Sequence, residues 1–345
     1  MSRLASAADH AACRAILRHG SRSFLAASLL LPSRLRAPAT ALYAFCRISD
    51  DSVDEAGEAD PAAALARLRE RLRAAAGGRP QSCAVDRALA DTLARFAIPV
   101  ALPEALLEGF AWDLAGRRYR DLAGLRAYGV RVAGSVGAMM ALLMGQRDPA
   151  TLARAVELGV AMQLTNIARD IGADARAGRL YLPLDWLDEA GIDPEVLLAG
   201  PRFSPALGAM TGRLLDEAGR LYRSADAGIA ALPPACRPAI RVAQRTYRAI
   251  GDEILARGGD SVGSRAVVPT ARRLAILGGA VLPTRPGGED APLAEAAGLL
   301  AAVPAGGAAG PAPRRPPLWA RIDGRIDWTL ALFERLAWQE GRPGG

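Results

Sequence analysis

Two groups of carboxylates stand inside otherwise apolar stretches of the chain. In Leu42–Glu55, Asp50 and Asp54 are spaced i, i+4, so one turn of helix carries both carboxylates to one face. In Gln163–Asp174, Asn166, Asp170 and Asp174 repeat that interval, with Gln163 one turn earlier. Like charges at this spacing cost roughly a few tenths of a kcal/mol per pair in an isolated helix, and they call for a compensating cation. Mg²⁺ takes oxygen ligands from one or two carboxylates and completes its shell with water and phosphate oxygens; Mn²⁺ accepts the same donors. A single D-x-x-x-D is most simply a solvated acidic face. Two of them, each beside an arginine (Arg47 and Arg169) and each in apolar surroundings, point to a cage for Mg²⁺ ions and a diphosphate, formed where the two faces meet across a helical bundle. Asp50, Asp54, Asn166, Asp170 and Asp174 are the candidate metal ligands.

Other polar groups have two readings each. Gly20-Ser21-Arg22-Ser23-Phe24 precedes an apolar run ending at Leu31-Pro32; its hydroxyls and N–H groups suit phosphate oxygens, and a plain N-cap accounts for the same residues. In Gly178–Pro183, Arg179 is placed to reach a diphosphate, while Tyr181 fits a site or a core. Tyr128 precedes the small-residue run Val132–Gly137, which leaves room for a hydrocarbon chain or allows close helix packing.

Composition removes several chemistries. All 43 basic residues are arginine, which excludes a lysine Schiff base and a P-loop lysine. His10 and His19 are the only histidines, too few for a histidine zinc site. The net charge of +7 fits an anionic small substrate or an anionic membrane surface, and the arginines form no basic block with interleaved aromatics of the kind that binds nucleic acid. Cys13, Cys46, Cys83 and Cys236 lie far apart without a C-x-x-C pair and read as packed thiols in a reducing compartment. The N-terminus has no continuous apolar h-region, so cytoplasmic residence is expected.

The elements that must position these groups are helices. Apolar residues recur at helical spacing from Ala11 to Leu277 with no sustained period-2 alternation, which predicts an all-α, single-domain bundle over residues 1–282. Residues 283–317 turn to Pro, Gly and Ala, the composition of a linker or surface tail. Residues 318–345 resume helical spacing through Ile322, Ile326, Leu330 and Phe333, either as a helix docked on the bundle or as an interfacial membrane helix.

The stretches GSRSF at 20–24, ALYAFCRISDDSVDE at 41–55, RVAGSVGAMM at 131–140 and QLTNIARDIGADARAGRLYLP at 163–183 resemble the squalene/phytoene synthases, most closely the bacterial phytoene-forming branch. The resemblance covers roughly residues 10–275. It implies an isoprenoid synthase helical bundle with a central cavity. It also implies Mg²⁺ dependence without NAD(P)H, and head-to-head condensation of two geranylgeranyl diphosphates to phytoene through a cyclopropyl diphosphate. The alternative within the family is squalene, dehydrosqualene or hydroxysqualene formation from farnesyl diphosphate. Carried over by position, Asp50 and Asp54 match the first metal motif and Asp170 and Asp174 the second. Ser21, Ser23, Phe24, Arg47, Tyr128, Gln163, Asn166, Arg169 and Tyr247 match positions that line the substrate site, with Arg265 where spacing varies. Ala173 stands where many relatives carry Glu. Because such substrates are very apolar and the product more so, peripheral contact with the inner face of a membrane is expected, as is association with other carotenoid-pathway enzymes.

Overall fold

The computed structural model describes residues 4–20, 22–55, 61–282 and 291–304, without the side chains of residues 22, 23, 26, 53–55, 61 and 281. The described residues fall in one compact unit and contain helices and no strand. In chain order these are α1 (Ala7–Gly20), α2 (Arg22–Leu30), α3 (Ser33–Glu55), α4 (Pro61–Ala76), α5 (Ala84–Phe96), α6 (Ala101–Leu114) and α7 (Leu122–Gly129). A π-helical turn (Val130–Gly134) leads into α8 (Ser135–Leu143) and α9 (Pro149–Arg176). There follow α10 (Leu184–Glu189), α11 (Pro194–Ala199), α12 (Pro205–Ala231), α13 (Arg237–Leu255), α14 (Thr270–Gly278) and α15 (Ala297–Ala301). The expected all-α architecture is the observed one.

Local chemistry sets the bounds of the central helix. Asp148 caps α9 by accepting from Thr151 N at 2.8 Å, and Pro149 fills the first turn, where a missing N–H costs nothing. At the other end Gly178 takes a φ of +72°, which a side chain would resist, and turns the chain toward Arg179. Between these ends α9 buries Val156, Val160, Ala161, Leu164 and Ala168 against α8, α12, α13 and the π turn. Each large apolar side chain so buried contributes about 1.5–3 kcal/mol.

Polar ties fix the helices around α9. Ser224 of α12 donates to Glu157 Oε2 at 2.6 Å, and Arg154 Nη1 lies 2.8 Å from the same oxygen, so a buried carboxylate is matched by a guanidinium and a hydroxyl. Gln244 of α13 donates to Asp226 Oδ1 at 3.0 Å and to Tyr222 O at 2.9 Å. These bonds orient α12 and α13, which both border the cavity described below.

The stretch expected to be a linker behaves differently over residues 291–304. Leu293, Ala296, Leu299 and Val303 are buried in the main core, and Glu295 accepts from Arg126 Nη2 at 2.9 Å. Their helical spacing is present in the sequence but diluted by alanine and glycine, which made the segment resemble low complexity. The remainder of 283–317 and the amphipathic stretch 318–345 lie outside the described residues. All four cysteines are free thiols. Burial pushes the Cys46 thiol up to about 12.

Candidate active site

The acidic groups converge from three helices. Asp50 sits in the last turns of α3, Asp113 in the last turn of α6, and Asp170 and Asp174 in the last two turns of α9. Asp113 lies within electrostatic reach of both Asp50 and Asp174. Burial pushes the Asp113 carboxyl up to about 6, against hydrogen bonds from Tyr128 and Tyr181 and the nearby charge of Arg179. Burial, then the charge of Asp170, pushes the Asp174 carboxyl up to about 7, against the pull of Arg179 and Arg265.

Arginines surround these acids. Arg169 grips Asp170 in a fork, Nη2 to Oδ2 at 2.6 Å and Nε to Oδ1 at 3.0 Å. Arg265 reaches the same carboxylate from the loop after α13, Nε to Oδ1 at 2.7 Å. That loop lies directly on α9: Gly172 N donates to Ser261 O at 3.1 Å, and a Cβ on Gly172 would fall 2.6 Å from Val262 Cα. Arg47 pairs with Asp51 at 2.6 Å and stands 3.7 Å from Asp50.

The oxygen donors fit a hard divalent cation. Among the described residues no three acidic, histidine or cysteine side chains are placed to hold a single metal ion. A metal here would therefore take one or two protein carboxylates and complete its shell from phosphate and water oxygens, as Mg²⁺ does.

An apolar cavity of about 350 Å³ opens beside this cluster. Its wall on α9 is the stripe Thr151, Arg154, Ala155, Leu158, Gly159, Met162, Gln163 and Asn166, one helical face from the first turn to one turn before Asp170. At 1.5 Å per residue that stripe is about 22 Å long. Val132, Ala133, Val136 and Gly137 line the cavity too, and Gly137 also meets the Ala155 carbonyl closely, so the small-residue run allows close helix packing and borders the apolar space. At the acidic end Asn166 hydrogen-bonds Tyr247, and the Phe24 ring packs 5.9 Å from Tyr43 and 6.3 Å from Tyr247.

Beside the acids stands a tyrosine cluster. Tyr128 donates to Asp113 Oδ2 and Tyr181 to Asp113 Oδ1, both at 2.8 Å. Their rings stack at 5.3 Å, and Tyr119 packs 5.4 Å from Tyr128. Sequence reasoning missed Asp113 and Tyr119 and left Tyr181 undecided. Asp113 falls outside any i, i+4 acidic repeat, at the end of a helix whose other acids are Glu104 and Glu108, and only its partners from α7 and from the loop after α9 reveal it. Of the sequence-derived positions, Asp50, Asp170, Asp174, Arg47, Arg169, Arg179, Arg265 and Tyr128 gather at the acidic end. Phe24, Gln163, Asn166 and Tyr247 border the cavity. Ser21 and the side chains of Ser23 and Asp54 lie outside the described residues.

The family model described as squalene/phytoene synthase matches residues 17–273. The chain belongs to this family. Members of the squalene/phytoene synthase family most similar to it include the phytoene synthase of Cereibacter sphaeroides, 52% identical over 281 residues covering 79% of each chain. The phytoene synthase of Rhodobacter capsulatus is 51% identical over 271 residues, covering 78% of this chain and 80% of that one. A crystal structure of a dehydrosqualene synthase in complex with ligand aligns with a TM-score of 0.73 and 29% identity, over 79% of this chain and 95% of that one. The segment matched to the squalene/phytoene synthase family holds every acid, arginine and tyrosine of the site, whereas residues 291–304 lie beyond it.

Proposed function

We propose that this protein is a phytoene synthase, a prenyltransferase that joins two geranylgeranyl diphosphates head to head through a cyclopropyl diphosphate and releases diphosphate. The observation that carries this reading is the apolar cavity that runs along α9 from Asn166, one turn from an arginine-rich acidic cluster, to Thr151, a shape suited to a long hydrocarbon with a diphosphate at one end. The phytoene synthases at 51–52% identity support the choice of substrate.

Asp50, Asp170 and Asp174, with Asp54 and Asn166 from the sequence pattern, would hold Mg²⁺, or Mn²⁺ with the same donors. When bound, the metal supplies positive charge that stabilises the departing diphosphate. Arg47, Arg169, Arg179 and Arg265 bring fixed positive charge to the same end, where an anion develops as the carbon–oxygen bond of the allylic diphosphate breaks. The carbocation left behind is attacked by the double bond of the second substrate. The cavity wall excludes water that would otherwise capture the cation, and Phe24, Tyr43 and Tyr247 set aromatic faces near its acidic end.

Incubation of the full chain and Mg²⁺ with geranylgeranyl and farnesyl diphosphates separately, followed by mass spectrometry of the products, tests the reading. Phytoene from the longer substrate is expected, and preferential turnover of farnesyl diphosphate overturns it. The likeness to a dehydrosqualene synthase structure favours a farnesyl-based condensation, and the same experiment decides.

No described helix is long and apolar enough to cross a membrane. The greasy substrate and product give a reason for peripheral membrane contact, which flotation with anionic liposomes, with and without residues 318–345, tests.

A further inference from the structure

Asp113 is the acid that neither aspartate motif contains, yet it lies within electrostatic reach of Asp50 in one and Asp174 in the other. Both of its oxygens are taken by phenols, Oδ2 by Tyr128 and Oδ1 by Tyr181, at 2.8 Å each. Two hydroxyls that give their hydrogens to one carboxylate are left with only lone pairs to offer elsewhere. Tyr128 lies one turn before Val132, the first residue of its segment to line the cavity, so this arrangement stands where the cavity meets the diphosphate end.

The charged and titratable groups around Asp113 are Tyr128, Tyr181 and Tyr119, whose phenols touch it or stack beside it, and Arg179, Asp50 and Asp174, whose charges it feels. Burial and the Asp113 charge hold all three phenols well above their ordinary value, which removes a tyrosinate as a standing base. A neutral phenol accepts a proton only if it passes its own onward, and the Asp113 oxygens are in place to receive it.

Resting on the condensation proposed above, we infer that Asp113 is the proton sink and positioning residue of the reaction, acting through the hydroxyls of Tyr128 and Tyr181. A C–H bond beside the cationic carbon breaks, and its electron pair forms the carbon–carbon bond that neutralises the cation. The proton joins a phenolic oxygen while that phenol's own hydrogen moves to Asp113. The phenol is unchanged and Asp113 ends as the neutral acid. Without a carboxylate the hydroxyls rotate freely and the proton has nowhere to go.

The test compares wild type with Asp113→Asn, Asp113→Glu and the double variant Tyr128→Phe/Tyr181→Phe as full chains, with saturating Mg²⁺ and geranylgeranyl diphosphate. Wild-type kcat should fall toward acid pH as Asp113 protonates. Asp113→Asn should lose on the order of 10²–10⁴ in kcat, the range for removing a general base, with KM nearly unchanged and the acidic limb gone. Asp113→Glu should recover part of the rate and the limb. Asp113→Asn turning over like wild type, raising KM alone, or keeping the acidic limb on a lower rate would each overturn the inference. If Asp113→Asn fails to fold, the double Phe variant decides: loss of the limb supports the relay and its retention refutes it. A wild type inert toward every prenyl diphosphate instead removes the condensation reading itself, before any variant is compared.

Discussion

Arg265 Nε lies 2.7 Å from Asp170 Oδ1, although the arginine is largely exposed and the aspartate buried. The pair joins the loop after α13 to the acidic face of α9, so an element with little core of its own completes the diphosphate end of the site. Arg265→Ala should leave the melting temperature almost unchanged, because a mostly exposed ion pair contributes about 0–1 kcal/mol to stability. A lost charge-assisted hydrogen bond to substrate, about 1.5–3 kcal/mol, should appear as a rise in KM for prenyl diphosphate of roughly tenfold or more. Steady-state kinetics beside a thermal melt separates the two; a lower melting point with unaltered KM would make the pair purely structural.

Gly172, between the two aspartates of α9, is where that loop touches the helix. A Cβ there would lie 2.6 Å from Val262 Cα, so Gly172→Ala must push the Arg265 loop away, at a cost of about 1–3 kcal/mol. Turnover should fall while helical circular dichroism persists. Gly212→Ala in α12 meets nothing within 4 Å and should instead gain up to about 1 kcal/mol. Melting both variants provides the contrast, and equal effects would refute it.

The Asp174 carboxyl, pushed up to about 7, makes the metal-free protein sensitive to pH. Its folded value stands above its unfolded one, so the folded state holds the extra proton: the stabilisation from this group is full below about 4, is lost as pH rises toward about 7, and is absent above that. A divalent cation competes with that proton. Added Mg²⁺ should therefore raise the melting temperature more at pH 8 than at pH 6, and chelator should reverse the gain. Calorimetry with equal shifts at both pH values would contradict this, as would undiminished turnover in excess chelator.

Between the first helix and α5, Asp9 of α1 accepts from Arg87 Nε of α5 at 3.0 Å. The Arg87 guanidinium, with the Ser6 N–H, holds its carboxyl well below the usual range. A depressed folded value contributes stability above the ordinary aspartate value, and this is lost as pH falls below about 4. Asp9→Asn should lower the melting temperature at pH 7 and flatten the acid limb of a stability curve. An unchanged limb would assign acid sensitivity to other groups.

The α9 stripe also sets the usable length of the cavity. Ala155 lines it two turns from Gln163, toward the end remote from the aspartates. Ala155→Phe should fill that end and shift kcat/KM from geranylgeranyl toward farnesyl diphosphate, by roughly tenfold or more given about 1–3 kcal/mol per pocket contact. Competition between the two substrates reads the change directly, and an unaltered preference would show that the tail does not extend this far.

By itself the sequence determined the helical class and the faces of α3 and α9. The i, i+4 repeat of Asp50 with Asp54 and of Asn166, Asp170 and Asp174 is a property of one segment, readable wherever a helix forms. It also carried a family pattern dense enough to place Arg265 despite uncertain spacing. Only the tertiary structure decided that Asp113 lies within electrostatic reach of both motifs with a phenol on each oxygen, that Gly172 admits the Arg265 loop, and that residues 291–304 dock. These depend on contacts between helices distant in the chain. Packing selects those contacts over the whole bundle, so local spacing in Ala101–Leu114 or Ala294–Ala301 can mark a helix but not what it docks against.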